Sequence, residues 1–197
     1  GVLCLNFMQR TILMEKGLFI AFEGIDGSGK STQISNLKYY MESFGRKVFP
    51  TCEPSAGPVG SLLRQFLSGR IEGDTRMIAS LFAADRLDHI TNKTDGMLDK
   101  LNSGVDIISD RYCFSSYAYN SVDMPFDWVV SVNAESMRLV KPDAVIFIDI
   151  DVDTALERIS KNRFSSELFE KRERLEQVRA NYFKAFEMFK DEINICI

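Results

Sequence analysis

Residues 24–31 (GIDGSGKS) constrain the fold most strongly, because they match the pattern G-x-x-x-x-G-K-[ST] at every fixed position. They follow an apolar run, residues 17–23, that is typical of a buried strand, and they precede apolar residues at helical spacing. Glycines let backbone N–H groups turn toward phosphate oxygens, and a following helix directs its positive end at the same anion. The alternative is a glycine-rich turn that only begins a helix. The agreement of motif and context favours a phosphate-binding loop.

Within this phosphate loop, Lys30 is expected to pair with the β- and γ-phosphates, and Ser31 to coordinate Mg²⁺ through its hydroxyl. The predicted nucleotide-binding residues are Gly24, Ile25, Asp26, Gly27, Ser28, Gly29, Lys30, Ser31 and Thr32. The motif identifies a site for a nucleoside triphosphate, but it does not identify the group that receives the phosphate.

Short apolar runs alternate with helical patterns along the rest of the chain. Further strands are predicted at residues 47–51, 105–109, 144–150 and 192–197. Continuous apolar runs are typical of strands that are covered on both faces. The sequence therefore predicts an α/β protein with a P-loop NTPase fold, in which helices flank both faces of a five-stranded, mostly parallel sheet.

Composition argues against several classes of protein. The chain has 24 Lys and Arg against 28 Asp and Glu, a net charge of −4, so neither a nucleic-acid partner nor an anionic membrane is expected. No apolar run approaches the ~20 residues of a membrane-spanning helix. The four cysteines lack C-x-x-C spacing and His89 is the single histidine, so a zinc site is not expected. Reduced thiols in a cytoplasmic protein are the simplest interpretation.

The 197 residues fit one domain. We expect residues 1–13 to be an extension outside the core, and residues 14–197 to form the domain. After the fourth predicted strand, a basic stretch contains Arg158, Lys161 and Arg163. It predicts a short lid around residues 158–168. A solvated helix end rich in charge is the alternative.

Phe82 and Arg86 are four residues apart on a predicted helix, so they share one face. An aromatic ring beside a guanidinium is suited to stack on a flat base and to donate hydrogen bonds to its carbonyl edge. A core phenylalanine and a solvated arginine remain the alternative.

Asp110 and Arg111 follow the third predicted strand, at the sheet edge where α/β proteins bind ligands. Asp110 is a candidate for the metal and Arg111 for a phosphate, although a strand-end ion pair is the alternative. Residues 51–54 (TCEP) end the second strand. Arg64 follows on the next predicted helix and is a candidate for a second arginine that binds the phosphate, with an ordinary surface arginine as the alternative. Four further residues on a predicted helix are candidates for the same pocket: Ser115, Ser116, Tyr119 and Asn120.

Taken together, these segments resemble the thymidylate kinase family. The matching strings are residues 22–32 (FEGIDGSGKST), 51–54 (TCEP), 81–86 (LFAADR), 110–112 (DRY) and 115–119 (SSYAY), in the order and spacing of the family. Residues 141–143 (KPD) and stretches between 169 and 182 extend the resemblance, which covers roughly residues 18–182. It implies transfer of the γ-phosphoryl group of ATP to dTMP, which gives dTDP for dTTP biosynthesis. It also implies Mg²⁺ and a homodimer.

The resemblance further implies roles for single residues. Asp26 matches the acidic residue that holds the 3′-hydroxyl of the acceptor, and Glu53 lies in a substrate-binding segment. Phe82 matches the residue that stacks on thymine, and Arg86 the one that reads the carbonyl edge of the base. Arg64 and Arg111 match the arginines that bind the acceptor phosphate. Ser116 and Asn120 match residues near the N3 edge of the base, and Tyr119 matches the aromatic residue that crowds the ribose 2′ position.

Gly27 stands where another subgroup of the family has arginine in the phosphate loop. The subgroup with glycine supplies its catalytic arginine from the lid, so the resemblance implies that Arg163 stabilises the transferring phosphoryl group, with Arg158 or Lys161 as alternatives. The predicted catalytic residues are Lys30, Arg111, Arg163 and Asp26.

Three features depart from the family pattern. Many bacterial members have arginine where this chain has Cys52, and Asn120 replaces the commoner glutamine. We expect one phosphate contact to be missing and the contact to the base to be weaker or bridged by water. The sequence also ends at Ile197, where the family usually continues into an adenine-contacting loop and a closing helix. Either the sequence stops short or the donor-base site is abbreviated.

Two other functions remain open. One is a P-loop kinase for another nucleotide or for a nucleoside, and the other is a nucleotide-binding protein without turnover. Two candidate arginines for a phosphate favour an acceptor that already carries one. The presence of Lys30, Ser31, Asp110 and Arg111 together argues against a protein without turnover.

Overall fold

Five strands form one sheet in the order β2-β3-β1-β4-β5, and all four neighbouring pairs are parallel. The strands are β1 (Phe19–Glu23), β2 (Val48–Cys52), β3 (Asp106–Asp110), β4 (Ala144–Phe147) and β5 (Asn194–Cys196). The computed structural model describes residues 16–159 and 165–197, with side chains from residue 171 in the second range. The predicted extension at residues 1–13, and Lys161 and Arg163 of the predicted lid, lie outside the described residues.

Helices connect the strands in the described ranges. They are α1 (Lys30–Ser43), α2 (Pro58–Leu67), α3 (Thr75–Thr91), α4 (Met97–Asn102), α5 (Cys113–Tyr119), α6 (Phe126–Leu139), α7 (Val152–Ile159) and α8 (Ser165–Phe189). A 3₁₀ turn, Asn120–Val122, follows α5. None of the described helices is long and apolar enough to cross a membrane.

The central strand β1 is buried along its whole length, as its apolar run predicts. Phe19 and Ala21 point into a core shared with α4, α5, α6 and α8, and the alternate residues Ile20 and Phe22 pack with Ile34 of α1 on the other face. Helices thus cover both faces of the sheet, and the predicted α/β fold is confirmed.

The strand boundaries differ from the prediction by a few residues. β3 continues to Asp110, because its pairing with β2 and β1 extends to Cys52 and Phe22. β4 ends at Phe147 rather than at residue 150, because its partner β1 ends opposite, at Glu23. The carboxyl ends of β1 and β3 therefore lie side by side, and the segments that follow both strands meet at one edge of the sheet.

Candidate active site

The phosphate loop leaves β1 through glycines whose backbone requires them. Gly24 has φ of 148° and Gly27 has φ of 81°, a region that L-residues rarely adopt. A Cβ atom at Gly24 would lie 2.8 Å from the carbonyl oxygen of Ile148. Gly29, with φ of 94°, precedes the first residue of α1, so the free N–H groups of that helix open onto the loop.

Lys30 folds back into this loop. Its Nζ donates to the carbonyl oxygens of Gly24 at 3.1 Å and Ile25 at 3.3 Å. Burial, followed by the positive charge of Arg111, lowers the pKa of Lys30 to about 8. The loop therefore holds a buried ammonium that gains from an anion beside it.

Hydroxyl and carboxylate oxygens stand at the mouth of the loop. Ser31 Oγ lies 3.4 Å from Asp110 Oδ2, while Asp110 Oδ1 is buried and has no hydrogen-bond partner in the described residues. This donor set suits Mg²⁺, which prefers oxygen ligands and keeps waters and substrate phosphates in its shell. No group of three or more His, Cys, Asp or Glu within the described part of the chain could hold a metal alone. Ser31 and Asp110 therefore fit a metal that phosphates help to bind.

Two clefts adjoin at this edge of the sheet, each of about 430–440 Å³. The first cleft contains the phosphate loop and is lined by Asp26, Gly27, Gly29, Lys30, Ser31, Thr32, Cys52, Glu53, Asp110 and Arg111. The second cleft is lined mainly by α3, α5 and the 3₁₀ turn, and its predicted residues are Asp26, Glu53, Phe82, Arg86, Arg111, Ser115, Ser116, Tyr119 and Asn120. Three of these side chains line both clefts: Asp26, Glu53 and Arg111.

Arg111 lies at the junction of the clefts in an unusual backbone conformation, with φ of 76°. Its N–H donates to the carbonyl oxygen of Phe22 at 2.9 Å, which fixes it against β1. Its Nη2 donates to Asp26 Oδ1 at 2.7 Å and to Tyr119 Oη at 3.2 Å. Its Nη1 donates to Ser115 Oγ at 2.8 Å and to Tyr182 Oη at 3.2 Å. Both ends of the guanidinium are thus held in place.

Arg86 is almost fully buried at the base of the second cleft, with 1% of its surface exposed. Its Nε donates to Glu53 Oε2 at 2.7 Å, its Nη1 to Asn133 Oδ1 and its Nη2 to Ser116 Oγ at 3.1 Å. His89 adds a contact of 3.3 Å from Nδ1 to Glu53 Oε1. The alternative of a solvated arginine is therefore excluded, because Arg86 is buried and a buried carboxylate compensates its charge.

Phe82 and Asn120 line the wall of the second cleft. Phe82 is partly buried, so its ring remains accessible from the cleft. Asn120 Nδ2 is buried and has no hydrogen-bond partner among the residues described. An unpaired amide donor beside an aromatic ring suits a planar, polar ligand.

Arg64 is the predicted substrate-binding residue that lines neither cleft, and three predicted residues of the phosphate loop, Gly24, Ile25 and Ser28, do not line the clefts either. Its Nη1 donates to the carbonyl oxygens of Pro54 at 3.0 Å and Ser55 at 2.7 Å, and its Nη2 to Ser61 Oγ at 3.2 Å. In this conformation the guanidinium braces the segment after β2.

Comparison with known proteins agrees with this geometry. A family model described as thymidylate kinase matches residues 22–197. A probable thymidylate kinase of Methanocaldococcus jannaschii is 38% identical over 177 residues, which are 89% of this chain and 85% of the relative. A probable thymidylate kinase of Thermococcus kodakarensis is 38% identical and covers 88% of this chain and 86% of its own length. A putative thymidylate kinase of Treponema pallidum is 33% identical, and the match covers 85% of this chain and 78% of the relative.

The chain belongs to the thymidylate kinase family. The resemblance stated from the motifs is thereby confirmed, and the family model extends beyond the phosphate loop to strands β2, β3, β4 and β5.

The second cleft of this thymidylate kinase family member is also lined by residues that the sequence did not indicate. Arg174 of α8 and Asp123 both line the cleft and form an ion pair of 2.6 Å. Apolar lining comes from Leu67, Ile78 and Met124, and Thr75 also lines the cleft. No sequence signal marked Arg174, because it lies in a helix where charged residues are frequent.

Arg158 is the described arginine of the predicted lid. It lies on α7, and its Nη1 donates to the carbonyl oxygen of Gly27 at 3.0 Å. A positive charge thus contacts the phosphate loop from outside the motif.

Proposed function

We propose that the protein transfers the γ-phosphoryl group of ATP to dTMP and forms ADP and dTDP. The observation that carries this proposal is the junction of the two clefts at Arg111. One cleft contains a phosphate loop with its lysine and candidate metal-binding oxygens, and the other is lined by an aromatic ring and a buried arginine. Two nucleotides bound in these clefts would meet with their phosphates beside Arg111.

In the second cleft, we infer that the thymine ring stacks on Phe82 and that its carbonyl edge faces Arg86. The phosphate of dTMP binds Arg111, and the 3′-hydroxyl binds the Asp26 carboxylate. Tyr119, whose Oη accepts from Asp26 N at 3.1 Å, crowds the 2′ position and favours a deoxyribose. Arg64 contacts the acceptor only if it leaves the carbonyl oxygens of Pro54 and Ser55.

The reaction requires positioning and charge stabilisation and no covalent enzyme intermediate. A phosphate oxygen of dTMP attacks the γ-phosphorus while the bond to the β–γ bridging oxygen breaks, and that oxygen leaves with ADP. Lys30 and Arg111 stabilise the charge on the transferring group, and we propose that Arg163 contributes from the lid. Mg²⁺ held by Ser31 and Asp110 would neutralise charge on the β- and γ-phosphates.

Selectivity for thymine is expected to be moderate. A methyl group in an apolar pocket contributes only about 1–3 kcal/mol to discrimination. Some turnover of dUMP is therefore expected.

A protein without turnover would hold ADP tightly, whereas a kinase must release it in every cycle.

The test is an ADP-release assay with ATP and Mg²⁺ against a panel of nucleoside monophosphates and thymidine. We expect strong turnover with dTMP, weak turnover with dUMP and none with thymidine. Preference for another monophosphate would overturn the base assignment and keep the mechanism. Turnover with thymidine would contradict the role of Arg111.

We also propose that the protein is a homodimer, as in the family. Exposed apolar side chains on α1, α2 and α3, and at the residue that directly follows α1, support this proposal, because a partner subunit would remove them from water. They are Tyr39, Tyr40, Phe44, Leu62 and Met77.

A further inference from the structure

A fully buried carboxylate lies behind the guanidinium of Arg111. Glu23, the last residue of β1, is 0% exposed and accepts four hydrogen bonds. Its Oε1 accepts from the backbone N–H groups of Tyr112 at 2.8 Å and Ser115 at 3.2 Å. Its Oε2 accepts from the hydroxyl groups of Ser115 at 2.5 Å and Tyr182 at 3.0 Å. The four bonds join the sheet, α5 and α8.

The number of protons in this cluster determines the direction of its hydrogen bonds. Ser115 and Tyr182 each have one hydroxyl proton, and their oxygens lie 2.8 Å apart. An ionised Glu23 has no proton to give, so Ser115 donates to Glu23, and Tyr182 donates to Glu23 or to Ser115. In both arrangements neither proton points toward Arg111. The lone pairs of both hydroxyl groups therefore face its Nη1, which donates to them at 2.8 and 3.2 Å.

We propose that Glu23 is a positioning residue for the acceptor phosphate, because its negative charge orients the two hydroxyl groups that hold Arg111. This inference rests on the proposed function of Arg111. Glu23 touches neither cleft, so it acts through Ser115 and Tyr182.

The surroundings of Glu23 act on its ionisation in opposite directions. Burial raises the pKa of its carboxyl group, while the hydrogen bond from Ser115 and the charge of Arg111 oppose that rise. The backbone of Arg111 has a positive φ, which residues other than glycine rarely adopt. Its position therefore depends on the hydrogen bonds that hold its side chain. The charge of Arg111 and the contacts of Glu23 thus support each other.

Replacement of Glu23 by glutamine keeps the shape and reverses the hydrogen bonds. The backbone N–H groups of Tyr112 and Ser115 require an acceptor, so the amide oxygen takes the place of Oε1. The amide NH₂ then stands where Oε2 was and donates to Ser115 and Tyr182. Their protons turn away from the amide. One hydroxyl group can donate to the other across 2.8 Å, and the remaining hydroxyl proton points toward Arg111 in place of a lone pair.

The experiment compares the affinities of dTMP and thymidine by calorimetry in the wild-type protein and in Glu23→Gln. We expect dTMP to bind about tenfold to hundredfold more weakly to the variant, because the charged Arg111 loses an acceptor. Thymidine, which has no phosphate, should bind both proteins equally. The ratio of the dTMP affinity to the thymidine affinity reports on Arg111. A general loss of stability would lower both affinities together and leave this ratio unchanged.

Asp106→Asn provides the matched control. Asp106 is equally buried, accepts from the backbone N–H of Leu18 at 2.8 Å and from Arg46 Nε at 2.6 Å, and lines neither cleft. This variant should keep the wild-type ratio of dTMP to thymidine affinity. If Glu23→Gln does not fold, Tyr182→Phe decides, because it removes one acceptor of Arg111 and leaves the carboxylate.

Each outcome separates the two proposals. A wild-type protein that binds dTMP no better than thymidine contradicts the proposed function itself. A wild-type preference for dTMP that persists in Glu23→Gln, or in Tyr182→Phe where that variant is needed, overturns the role of Glu23 and leaves the proposed function intact. A selective loss of dTMP affinity supports the inference.

Discussion

At the scale of single residues, opposite charges are held close together without neutralising every group. Arg86 is balanced by Glu53, and Arg111 by Asp26 on one side. Lys30 instead donates to neutral carbonyl oxygens of its own loop. A buried ammonium with neutral partners gains most from an incoming anion, which is the condition for binding a triphosphate.

We predict that the affinity for ATP depends on the protonation of Lys30, whose pKa burial and the charge of Arg111 lower to about 8. The ammonium loses its proton above that pH, so ATP should bind several-fold more weakly at about pH 9 than at about pH 7.5. Titration calorimetry at both pH values measures the change. The affinity for dTMP should stay constant, because Arg111 remains charged. Equal weakening of both ligands would contradict the assignment.

We predict that Phe82→Ala weakens dTMP binding and leaves ATP binding nearly unchanged. Stacking on an aromatic ring contributes about 1–3 kcal/mol per base, which corresponds to roughly tenfold to hundredfold in affinity. Fluorescence or calorimetric titrations with each nucleotide measure the two affinities. Phe44→Ala, at an exposed phenylalanine that directly follows α1 and lines neither cleft, is the matched control. Equal loss of both affinities would contradict stacking on Phe82.

Residue types in local motifs were predictable from the sequence, and their long-range contacts were not. Lys30 and Ser31 follow from an eight-residue pattern whose backbone geometry is built in. Arg64 matched the family pattern, but its position depends on the carbonyl oxygens of Pro54 and Ser55, which lie ten and nine residues earlier. Glu23 lay inside the matched motif, and only the meeting of α5 and α8 over β1 shows its four contacts.

At the scale of elements, α8 connects the predicted lid to both clefts. Its Tyr182 contacts Arg111, and its Arg174 pairs with Asp123 at the second cleft. Apolar periodicity predicts that such a helix exists, but not which of its many charged residues face a cleft. The position of Arg174 therefore follows only from the packing of α8 on α5.

We predict that Arg163→Ala lowers turnover and leaves the affinity for dTMP nearly unchanged, because a lid arginine acts on the transferring group. Steady-state rates and direct binding of dTMP separate the two effects. Arg158→Ala is the matched comparison, since Arg158 contacts the carbonyl oxygen of Gly27 in the phosphate loop. If Arg158→Ala loses turnover and Arg163→Ala does not, Arg158 is the catalytic arginine.

At the scale of the whole molecule, the strand order brings the two clefts together. β1 lies between β3 and β4, so the phosphate loop and the segment after β3 leave the same edge of the sheet. The class of fold was predictable because buried parallel strands have continuous apolar runs. The order of the strands depends on which helices pack together, and no single segment encodes it.

We predict that the protein sediments as a dimer, with twice the mass of its 22.4 kDa chain. Burial of exposed apolar side chains provides the driving force. Sedimentation velocity across a range of protein concentrations measures the mass. A monomer at the concentrations of the kinetic assay would contradict the homodimer and leave the proposed reaction untouched.

The most direct test of the central claim, transfer between two adjoining clefts, follows the γ-phosphoryl group itself. ATP labelled with ¹⁸O on its γ-phosphorus is incubated with Mg²⁺, dTMP and the protein, and the products are analysed by mass spectrometry. We predict that the label appears in the β-phosphate of dTDP and that little appears in inorganic phosphate. Label found mainly in inorganic phosphate would mean that water, and not dTMP, receives the group, and it would contradict the account.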